Sequence, residues 1–445
     1  MTDTIQIYGA GLAGSEAAWQ AVRQGVRVRL YEMKPEKKTP AHHTDGFAEL
    51  VCSNSLRSAE LTNGAGLLKE ELRRMGSLIM EAADASRVAA GGALAVDRTK
   101  FSDYVTEKLR SHPLVEVISA EMTEIPEQEI TVVATGPLTS DALAGTISRM
   151  TGGRSLYFYD AAAPIVDAES VDMTKAFFAS RYGKGGADYI NCPMTEAEYK
   201  AFYEALLSAE EAPLHDFEAG DRLKVFEGCM PVEVMARRGE DTLRYGPMKP
   251  VGIRHPETDE EYYAVVQLRR ENDAGTMYNL VGFQTHLRFP EQKRVFSMIP
   301  ALHDAEFVRY GVMHRNTFLR SPGLLDRVYA DLRNPMACFA GQLTGVEGYV
   351  ESTASGLLAA LGLYDRLCGR EPRDFTRQTA IGALGYYVSD PSVANFQPMN
   401  INFSIISPLG YKVRGKKEKN LAIAQRALDQ LAQVLAAGLE TGETL

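Results

Sequence analysis

The stretch from residue 4 to residue 32, TIQIYGAGLAGSEAAWQAVRQGVRVRLYE, decides the fold of this chain. Its apolar pattern predicts a strand over residues 5–8, a helix over 15–24 and a second strand over 26–32. A glycine-rich turn joins the first strand to the helix, and an acidic residue ends the second strand. The order strand, glycine turn, helix, strand and acid is typical of a dinucleotide-binding unit.

The turn itself is Gly9-Ala10-Gly11-Leu12-Ala13-Gly14. In such a unit Gly9 allows the tight turn, Gly11 lets the backbone approach a pyrophosphate, and Gly14 lets helix and strand pack closely. The free N–H groups at the start of the helix attract the phosphates. Glu32 lies 18 residues after Gly14, close to the roughly 20 expected for the acid that binds a ribose hydroxyl. We predict that this turn and Glu32 bind the ADP half of a dinucleotide.

Composition indicates a soluble globular protein. The 445 residues suffice for two or three domains, and the hydrophobic and charged fractions of 45% and 24% are ordinary. The longest apolar run, residues 88–96, is too short to cross a membrane, and the first strand follows the N-terminus without a signal peptide. Five cysteines without a CxxC pair argue against a disulfide framework and a zinc site. We therefore expect a cytoplasmic protein without a bound metal.

The net charge of −10 argues against a general affinity for nucleic acid, which requires a basic surface. Basic residues nevertheless crowd one short segment, at Lys412, Arg414, Lys416, Lys417 and Lys419. For any single cluster of this kind, a solvated surface is the simpler interpretation.

Two later stretches have small residues where a strand ends. The first is Thr135-Gly136, after a predicted strand over 131–134, and the second is Gly341-Gln342. A loop and a predicted helix over 350–363 follow the second stretch. Small residues let the backbone approach a cofactor, and a helix N-terminus stabilises negative charge on a reduced flavin. A plain strand-to-turn exit or βα unit gives the same pattern.

The pattern changes at about residue 156, where an aromatic strand begins. Thr195 and Glu198 form a capping box before an amphipathic helix. Periodicity also predicts helices over 69–83, 97–110 and 419–435, and ordered loops over 34–60 and 386–411. We predict three segments: residues 1–155 as the first part of the dinucleotide-binding domain, 156–310 as an inserted α+β domain, and 311–445 as the second part with a C-terminal helix.

Six segments together resemble one family, the folate- and FAD-dependent tRNA uracil-5-methyltransferases known as TrmFO. They are GAGLAG at 9–14, CSNS at 52–55, FEGCMP at 226–231, GFQTHL at 282–287, AGQLTGVEGY at 340–349 and FQPMN at 396–400. The first is generic, whereas the cysteine and histidine segments are specific in combination. The resemblance covers essentially the whole chain. One departure is Ser404, where the family often has glycine.

The resemblance implies an α/β fold with a Rossmann-like, glutathione-reductase-like FAD-binding domain and an inserted α+β domain. It implies FAD held by the glycine turn, Glu32, Thr135, Gly136 and the segment Gly341, Gln342, Gly348 and Tyr349. It further implies 5,10-methylenetetrahydrofolate as carbon donor, NADH or NADPH as reductant, and 5-methyluridine at position 54 of the tRNA T loop as product. No obligatory protein partner and no membrane are expected.

Two cysteines are candidates for the chemistry that this reaction needs. Uracil C5 becomes nucleophilic when a thiolate adds to C6, and a base must then remove the C5 proton. Cys52 lies in a polar loop of the first segment, and Cys229 lies in a Gly-Cys-Met-Pro turn of the inserted domain. We assign Cys229 as nucleophile and Cys52 as proton acceptor, although the two roles could be exchanged. The remaining cysteines are predicted to be small core residues; they are Cys192, Cys338 and Cys368.

Substrate contacts are predicted at two places. His286 is a candidate for stacking on the pterin, with His314 second, and Lys412, Lys416 and Lys417 are candidates for binding tRNA. Three alternatives remain open at this point. They are a related flavoprotein that modifies the tRNA wobble uridine, an FAD-dependent oxidoreductase of a small metabolite, and a non-catalytic dinucleotide sensor.

Overall fold

The computed structural model describes residues 4–39, 41–153, 155–161, 163–184, 186–212, 230–311, 313–393 and 396–440. Its first third contains seven strands and five helices within those residues. They are β1 (Thr4–Tyr8), α1 (Leu12–Arg23), β2 (Arg27–Glu32), β3 (Ser55–Ser58), α2 (Gly64–Arg74), α3 (Leu78–Ala85), β4 (Arg87–Val88), β5 (Ala93–Val96), α4 (Arg98–Arg110), β6 (Val115–Ser119), β7 (Thr131–Val133) and α5 (Asp141–Met150).

The middle third contains one strand that pairs with a strand of the last third, the strands of a second sheet and the helices beside them. They are β8 (Ser155–Ala161), β9 (Ile165–Asp167), β10 (Phe177–Ala179), β11 (Tyr189–Met194), α6 (Glu196–Leu207), α7 (Val232–Ala236), α8 (Thr242–Tyr245), β12 (Ala264–Arg270), β13 (Met277–Leu280), α9 (Phe289–Phe296) and β14 (Phe307–Arg309). The last third returns to the first sheet and ends in long helices. They are β15 (Met313–Leu319), β16 (Ala330–Asp331), β17 (Asn334–Phe339), α10 (Tyr349–Leu367), α11 (Ala380–Ser389) and α12 (Lys416–Glu440).

The central sheet has the order β16-β17-β7-β1-β2-β6, and all of its strands except β16 run parallel. Parallel strands end at the same edge of a sheet, so the turns after β1, β7 and β17 and the end of β2 meet there. A cofactor binds at this edge in open α/β sheets. The predicted α/β class with a Rossmann-like domain is confirmed by this sheet and by the helices packed on it.

The second sheet has the order β10-β11-β12-β13-β9-β14 and is antiparallel. Its core is separate from that of the central sheet and includes Tyr199, Phe202 and Phe296 from α6 and α9. The capping box of Thr195 and Glu198 is present at the start of α6, as predicted. Strands β8 and β15 pair with each other where the chain passes between the two sheets.

Three predicted elements differ from the structure. The single helix expected over 69–83 is two helices, because Gly76 adopts the left-handed conformation at φ +67° and Ser77 caps α3. Strand β3 lies inside the loop expected over 34–60. The loop expected over 386–411 begins inside α11, whose nearly uniform burial removed the apolar periodicity that identifies a surface helix.

The C-terminal helix α12 extends beyond the predicted 419–435 at both ends. Ala424, Ala427 and Leu431 are buried in the same core as α2 and α10. Among the described residues, no helix is both long and apolar enough to span a membrane.

Candidate active site

A pocket opens at the carboxyl edge of the central sheet. Most of the residues predicted to bind the dinucleotide line it: Gly9, Gly11, Leu12, Ala13, Glu32, Thr135, Gly136, Gly341, Gln342 and Tyr349. Ala10, Gly14 and Gly348 stand behind the lining and are not part of it. Segments far apart in sequence therefore meet at one place, because the parallel strands end there.

The three glycines of the turn have different environments. A Cβ on Gly9 would lie 2.7 Å from the carbonyl oxygen of Ala134, and Gly9 has a φ of +94°. A Cβ on Gly14 would lie 1.8 Å from the carbonyl oxygen of Gly9. A Cβ on Gly11 would meet nothing within 4 Å, at a φ of −70° that any residue adopts. Packing therefore requires glycine at two positions, while Gly11 leaves space for a ligand in the pocket, as a pyrophosphate site needs.

Glu32 lies at the end of β2 with a buried carboxylate. Its Oε2 accepts the N–H of Ala10 at 2.8 Å, and its Oε1 accepts the N–H of Lys34 at 3.1 Å. The carboxylate thus fixes the glycine turn and also borders the pocket. Both features suit a side chain that receives a ribose hydroxyl.

Helix α10 begins at the pocket and crosses α1 closely. A Cβ on Gly356 would lie 2.1 Å from the carbonyl oxygen of Ala13, so only glycine permits this approach. The N–H of Gly341 donates to Ser355 Oγ at 2.7 Å, which ties the turn after β17 to α10. The free N–H groups of the first turn of α10 therefore lie beside the pocket, where they stabilise negative charge.

The sequence analysis missed three titratable pocket residues in the loop after β2, which are Lys34, His42 and Glu49. Lys34 is buried; its Nζ donates to the carbonyl oxygen of Gly46 and lies 3.6 Å from Glu49. Burial, and then the charge of Lys34, lowers the pKa of the neighbouring His42. The only sequence signal was the length of the loop, which is unusual unless the loop has a function.

Cys52 lies next to this pocket. Its backbone N–H donates to the hydroxyl oxygen of Tyr349 at 2.8 Å, and the N–H of Ser53 donates to the same oxygen at 3.0 Å. Tyr349 and Val51 both line the pocket. The structure therefore brings one of the two candidate catalytic cysteines to the edge of the predicted cofactor site.

Arginine side chains hold the carbonyl groups of the segment around Cys52. Arg98 donates to the carbonyl oxygens of Leu50 and, at 3.3 Å, of Cys52, and it pairs with Glu271 at 2.7 Å. Arg309 at the end of β14 donates to the carbonyl oxygen of Val51 at 2.9 Å. Since Arg309 belongs to the second sheet, that sheet helps to position the cysteine loop.

A third arginine completes this connection. Arg269 on β12 donates to Ser53 Oγ at 2.7 Å and to Asn54 Oδ1 at 3.0 Å. The Asn54 amide in turn donates to the carbonyl oxygens of Val96 and Arg270. The CSNS segment is thus held by side chains of α4, α10 and β12, and the bonds from the two arginines have a charged donor, which makes them stronger than neutral hydrogen bonds.

Cys229 lies outside the described residues, but the chain that follows it contacts the segment of His286. The N–H of Val232 donates to the carbonyl oxygen of Gln284 at 2.7 Å. The carboxylate of Glu233 accepts the Thr285 hydroxyl at 2.9 Å and the His286 N–H at 2.7 Å. Burial raises the pKa of Glu233. The residues directly after one segment that resembles the family therefore lie beside another such segment.

Of the two histidines predicted to bind substrate, the structure describes the side chain of His286 but not that of His314. The His286 ring is mostly buried, with Nδ1 3.9 Å from a carboxylate oxygen of Glu211. His286 is not among the described residues that line the pocket. The side chain of His314, on β15, lies outside the described residues.

The remaining cysteines lie away from the pocket. Cys192 on β11 and Cys338 on β17 are completely buried, as predicted, and burial raises the pKa of both thiols. Cys368 is half-buried at the end of α10. Within the part of the chain that the structure describes, no group of three or more histidine, cysteine or acidic side chains is placed to hold a metal ion.

The predicted basic segment lies at the surface. Its five basic side chains, at positions 412, 414, 416, 417 and 419, are all exposed. Two of them, Lys416 and Lys419, border a groove between the start of α12, the start of α2 and the loop of Asn402 and Phe403. The structure therefore separates two lysines that border a groove from the other three basic residues of the segment, which do not.

Comparisons with known proteins give a consistent result. A family model described as glucose inhibited division protein A matches residues 4–371. A protein of Acetivibrio thermocellus named methylenetetrahydrofolate–tRNA-(uracil-5-)-methyltransferase TrmFO is 57% identical over 436 residues, which cover 98% of this chain and 99% of that protein. A Heliobacterium modesticaldum protein of the same name is 59% identical over 436 residues, with the same coverage.

Two crystal forms of Aquifex aeolicus GidA have a similar fold, each with a TM-score of 0.69 and 14% sequence identity. The similarity covers 97% of this chain in both comparisons, but 73% and 76% of the GidA chains. At this identity the likeness concerns the fold alone.

Proposed function

The chain belongs to the TrmFO branch of the glucose inhibited division protein A family, and on this premise we propose that it methylates uracil C5 in tRNA with carbon from 5,10-methylenetetrahydrofolate. One observation of the structure supports the proposal most directly. Cys52 lies at the edge of a pocket whose glycine turn has the shape of a dinucleotide site. A thiol beside a redox cofactor is the arrangement that this chemistry needs.

The pocket fits FAD in two respects. The open position at Gly11 leaves room for the pyrophosphate, and the buried carboxylate of Glu32 lies where a ribose hydroxyl would bind. The turns at Gly136 and Gly341 and the start of α10 would hold the isoalloxazine end. Bound and reduced, FAD would supply the hydride that completes the methyl group.

The side chains of this enzyme have two tasks at the uracil ring. Cys229 as a thiolate adds to C6, which makes C5 nucleophilic toward the methylene carbon of the folate. Cys52 would then accept the C5 proton as the bond between the transferred carbon and the folate nitrogen breaks, and once a hydride has completed the methyl group, the bond between Cys229 and C6 would break as the C5–C6 double bond returns. The position of Cys52 at the pocket supports its part in this scheme, and the exchanged assignment of the two cysteines uses the same groups.

Finer points of the proposal concern the substrates. We place the target at uridine 54 of the T loop and take NADH or NADPH as the reductant. His286 is proposed to stack on the pterin. Its position next to the segment after Cys229 supports this, because Glu233 accepts the His286 N–H and Val232 donates to the carbonyl oxygen of Gln284. His314 is the second candidate.

The decisive experiment is mass spectrometry of nucleosides from tRNA of a deletion strain, with and without the restored gene. Restoration of 5-methyluridine in that tRNA supports the proposal. Its absence, together with flavin-dependent turnover of a small metabolite, would assign the chain to a metabolite oxidoreductase instead. Dependence of purified enzyme on added folate separates the two outcomes independently.

A further inference from the structure

The groove beside α12 has a charge that is unusual for this protein. Its lining includes Arg57, Lys416 and Lys419, and none of the described residues that line it is acidic. The whole chain, by contrast, has a net charge of −10. Lys416 and Lys419 are exposed and form no ion pair with the described residues. A groove with unpaired cations on an acidic protein attracts an anionic ligand.

Arg57 marks the inner end of the groove. Its guanidinium contacts the carboxylate of Glu351, which is fully buried in the first turn of α10. Tyr349 and Ser352 of that same turn line the dinucleotide pocket. The groove and the pocket are therefore on two sides of one helical turn, about 10–12 Å apart if the width of a helix separates them.

The walls of the groove are fixed and partly aromatic. The side-chain amide of Asn420 on α12 donates to the carbonyl oxygen of Thr62 at 3.0 Å, which holds α12 against the turn before α2. Phe403 is half-buried in the lining, and Asn63 and Asn402 add amide groups. A cationic surface with an aromatic ring is the combination that binds single-stranded nucleic acid.

The position of the groove beside the dinucleotide pocket suits the strand that carries a reacting base. A base that reacts in the flavin pocket must leave its stack, and its neighbours in the strand must then be held. The width of one helix between pocket and groove, about 10–12 Å, is a distance that neighbouring nucleotides of one strand can span.

We propose that this groove binds the sugar-phosphate backbone of the tRNA strand next to the target uridine, through Lys416 and Lys419, with a base stacked on Phe403. The proposal rests on the proposed methyltransferase function and adds where the tRNA docks. It also distinguishes the lysines of the basic segment, since Lys412 and Lys417 lie outside the groove.

The test compares three charge-matched double variants of the FAD-loaded enzyme: Lys416→Ala with Lys419→Ala, Lys412→Ala with Lys417→Ala, and Lys200→Ala with Lys293→Ala. The last pair lies exposed on α6 and α9, away from the groove. Binding of an unmodified tRNA transcript is measured between about 50 and 200 mM salt, the range in which phosphate contacts dominate. Flavin absorbance confirms that each variant is folded and loaded.

The groove pair should weaken tRNA binding about tenfold and flatten the slope of log affinity against log salt by about 1.4, since each single-strand phosphate contact contributes about 0.7. Its KM for tRNA should rise while kcat at saturating tRNA is retained. The pair at 412 and 417 should lose less affinity, and the pair at 200 and 293 should match the wild type. Phe403→Ala should weaken binding without changing the salt slope.

Three results would overturn the proposal. The first is wild-type affinity and salt slope in the groove pair. The second is an equal loss of tRNA affinity in the groove pair and in the pair at 412 and 417, which would indicate that the whole basic segment attracts tRNA and the groove has no special part. The third is unchanged tRNA affinity with weaker binding of a polyglutamylated folate, which would assign the groove to that anion. A wild type that binds tRNA without methylating it would refute the proposed function alone, because the binding measurement still tests the groove.

Discussion

The hydroxyl oxygen of Tyr349 lies 2.8 Å from the backbone nitrogen of Cys52, so the first residue of α10 holds the backbone of the candidate catalytic cysteine. The same oxygen accepts the N–H of Ser53 at 3.0 Å. Burial raises the pKa of the Tyr349 hydroxyl, and a negative charge on Cys52 raises it further. The hydroxyl is therefore neutral at physiological pH, and the helix that borders the flavin site also positions the thiol.

Tyr349→Phe should keep FAD but lose most methylation. The substitution leaves two backbone N–H groups without an acceptor, and each such buried group costs about 1–3 kcal/mol. We expect a lower Tm and a kcat reduced at least tenfold, since the loop of Cys52 is no longer fixed. Thermal unfolding, flavin content and single-turnover methylation measure these effects. Wild-type kcat at wild-type stability would show that the hydrogen bonds do not position Cys52.

Gly11→Val should give a folded protein without flavin, whereas Gly14→Ala should destabilise the protein itself. The side chain at position 11 enters open space where the pyrophosphate would lie, and its backbone φ suits valine. The side chain at position 14 collides with the backbone of Gly9. Absorbance near 450 nm and circular dichroism separate the two outcomes. Full flavin in Gly11→Val would remove the glycine turn from the cofactor site.

Cys52→Ala and Cys229→Ala should each keep FAD and lose methylation. Cys192→Ala is the matched control, because that thiol is buried in the core of the second sheet. A tRNA that contains 5-fluorouracil should form a covalent adduct through the nucleophile. An adduct that survives Cys229→Ala but is lost in Cys52→Ala would exchange the two roles. Full activity in either variant would refute the mechanism that uses both cysteines.

Arg309→Met should lower kcat while FAD and folding are retained. Arg309 donates one hydrogen bond to the Val51 carbonyl oxygen, so its loss removes one contact between the cysteine loop and the second sheet and leaves the loop's other contacts in place. Arg309→Lys should restore part of the activity, because a lysine keeps a donor at this position. Arg29→Met is the control, since Arg29 pairs with Glu116 at an exposed edge of the central sheet. Equal kcat in Arg309→Met and the wild type would contradict the role of Arg309.

The protonated carboxyl group of Glu71 should contribute to the free energy of unfolding, and this contribution should decrease as the pH rises. Its carboxyl group accepts the N–H groups of Ala380 and Ile381 at the start of α11, and complete burial raises its pKa to about 8. Between about pH 4.5 and pH 8 the unfolded chain has lost this proton while the folded chain keeps it. The contribution of Glu71 to the free energy of unfolding is therefore fully present below about pH 4.5 and is lost as the pH rises toward 8.

The variant Glu71→Gln cannot ionise at this position, so it should lack the pH-dependent contribution of Glu71 to the free energy of unfolding. Urea unfolding of the variant and the wild type at intervals from pH 5 to pH 8.5 should show a difference in unfolding free energy that shifts in favour of the variant as the pH rises. A difference independent of pH would show that Glu71 does not titrate in this range.

Part of this protein is determined by short stretches of sequence. The glycine turn at 9–14 and the capping box at Thr195 could be predicted, because φ preferences and hydrogen bonds between near neighbours set them. The burial of Cys192 and Cys338 followed from their apolar strands in the same way. Local signals failed at α11, where burial on all sides leaves no periodicity.

The candidate site depended on the tertiary structure. Tyr349 and Cys52 are 297 residues apart, and Arg309 reaches Val51 across 258 residues; no spacing in the sequence indicates either contact. The same holds for the lysines of the basic segment, which separate into groove and surface only once α12 packs beside α2. The sequence determined which residues carry reactive or ligand-binding groups, because side-chain type and local backbone preference depend on the residues themselves and their near neighbours. Their mutual positions were decided only by the packing of strands and helices that are distant along the chain.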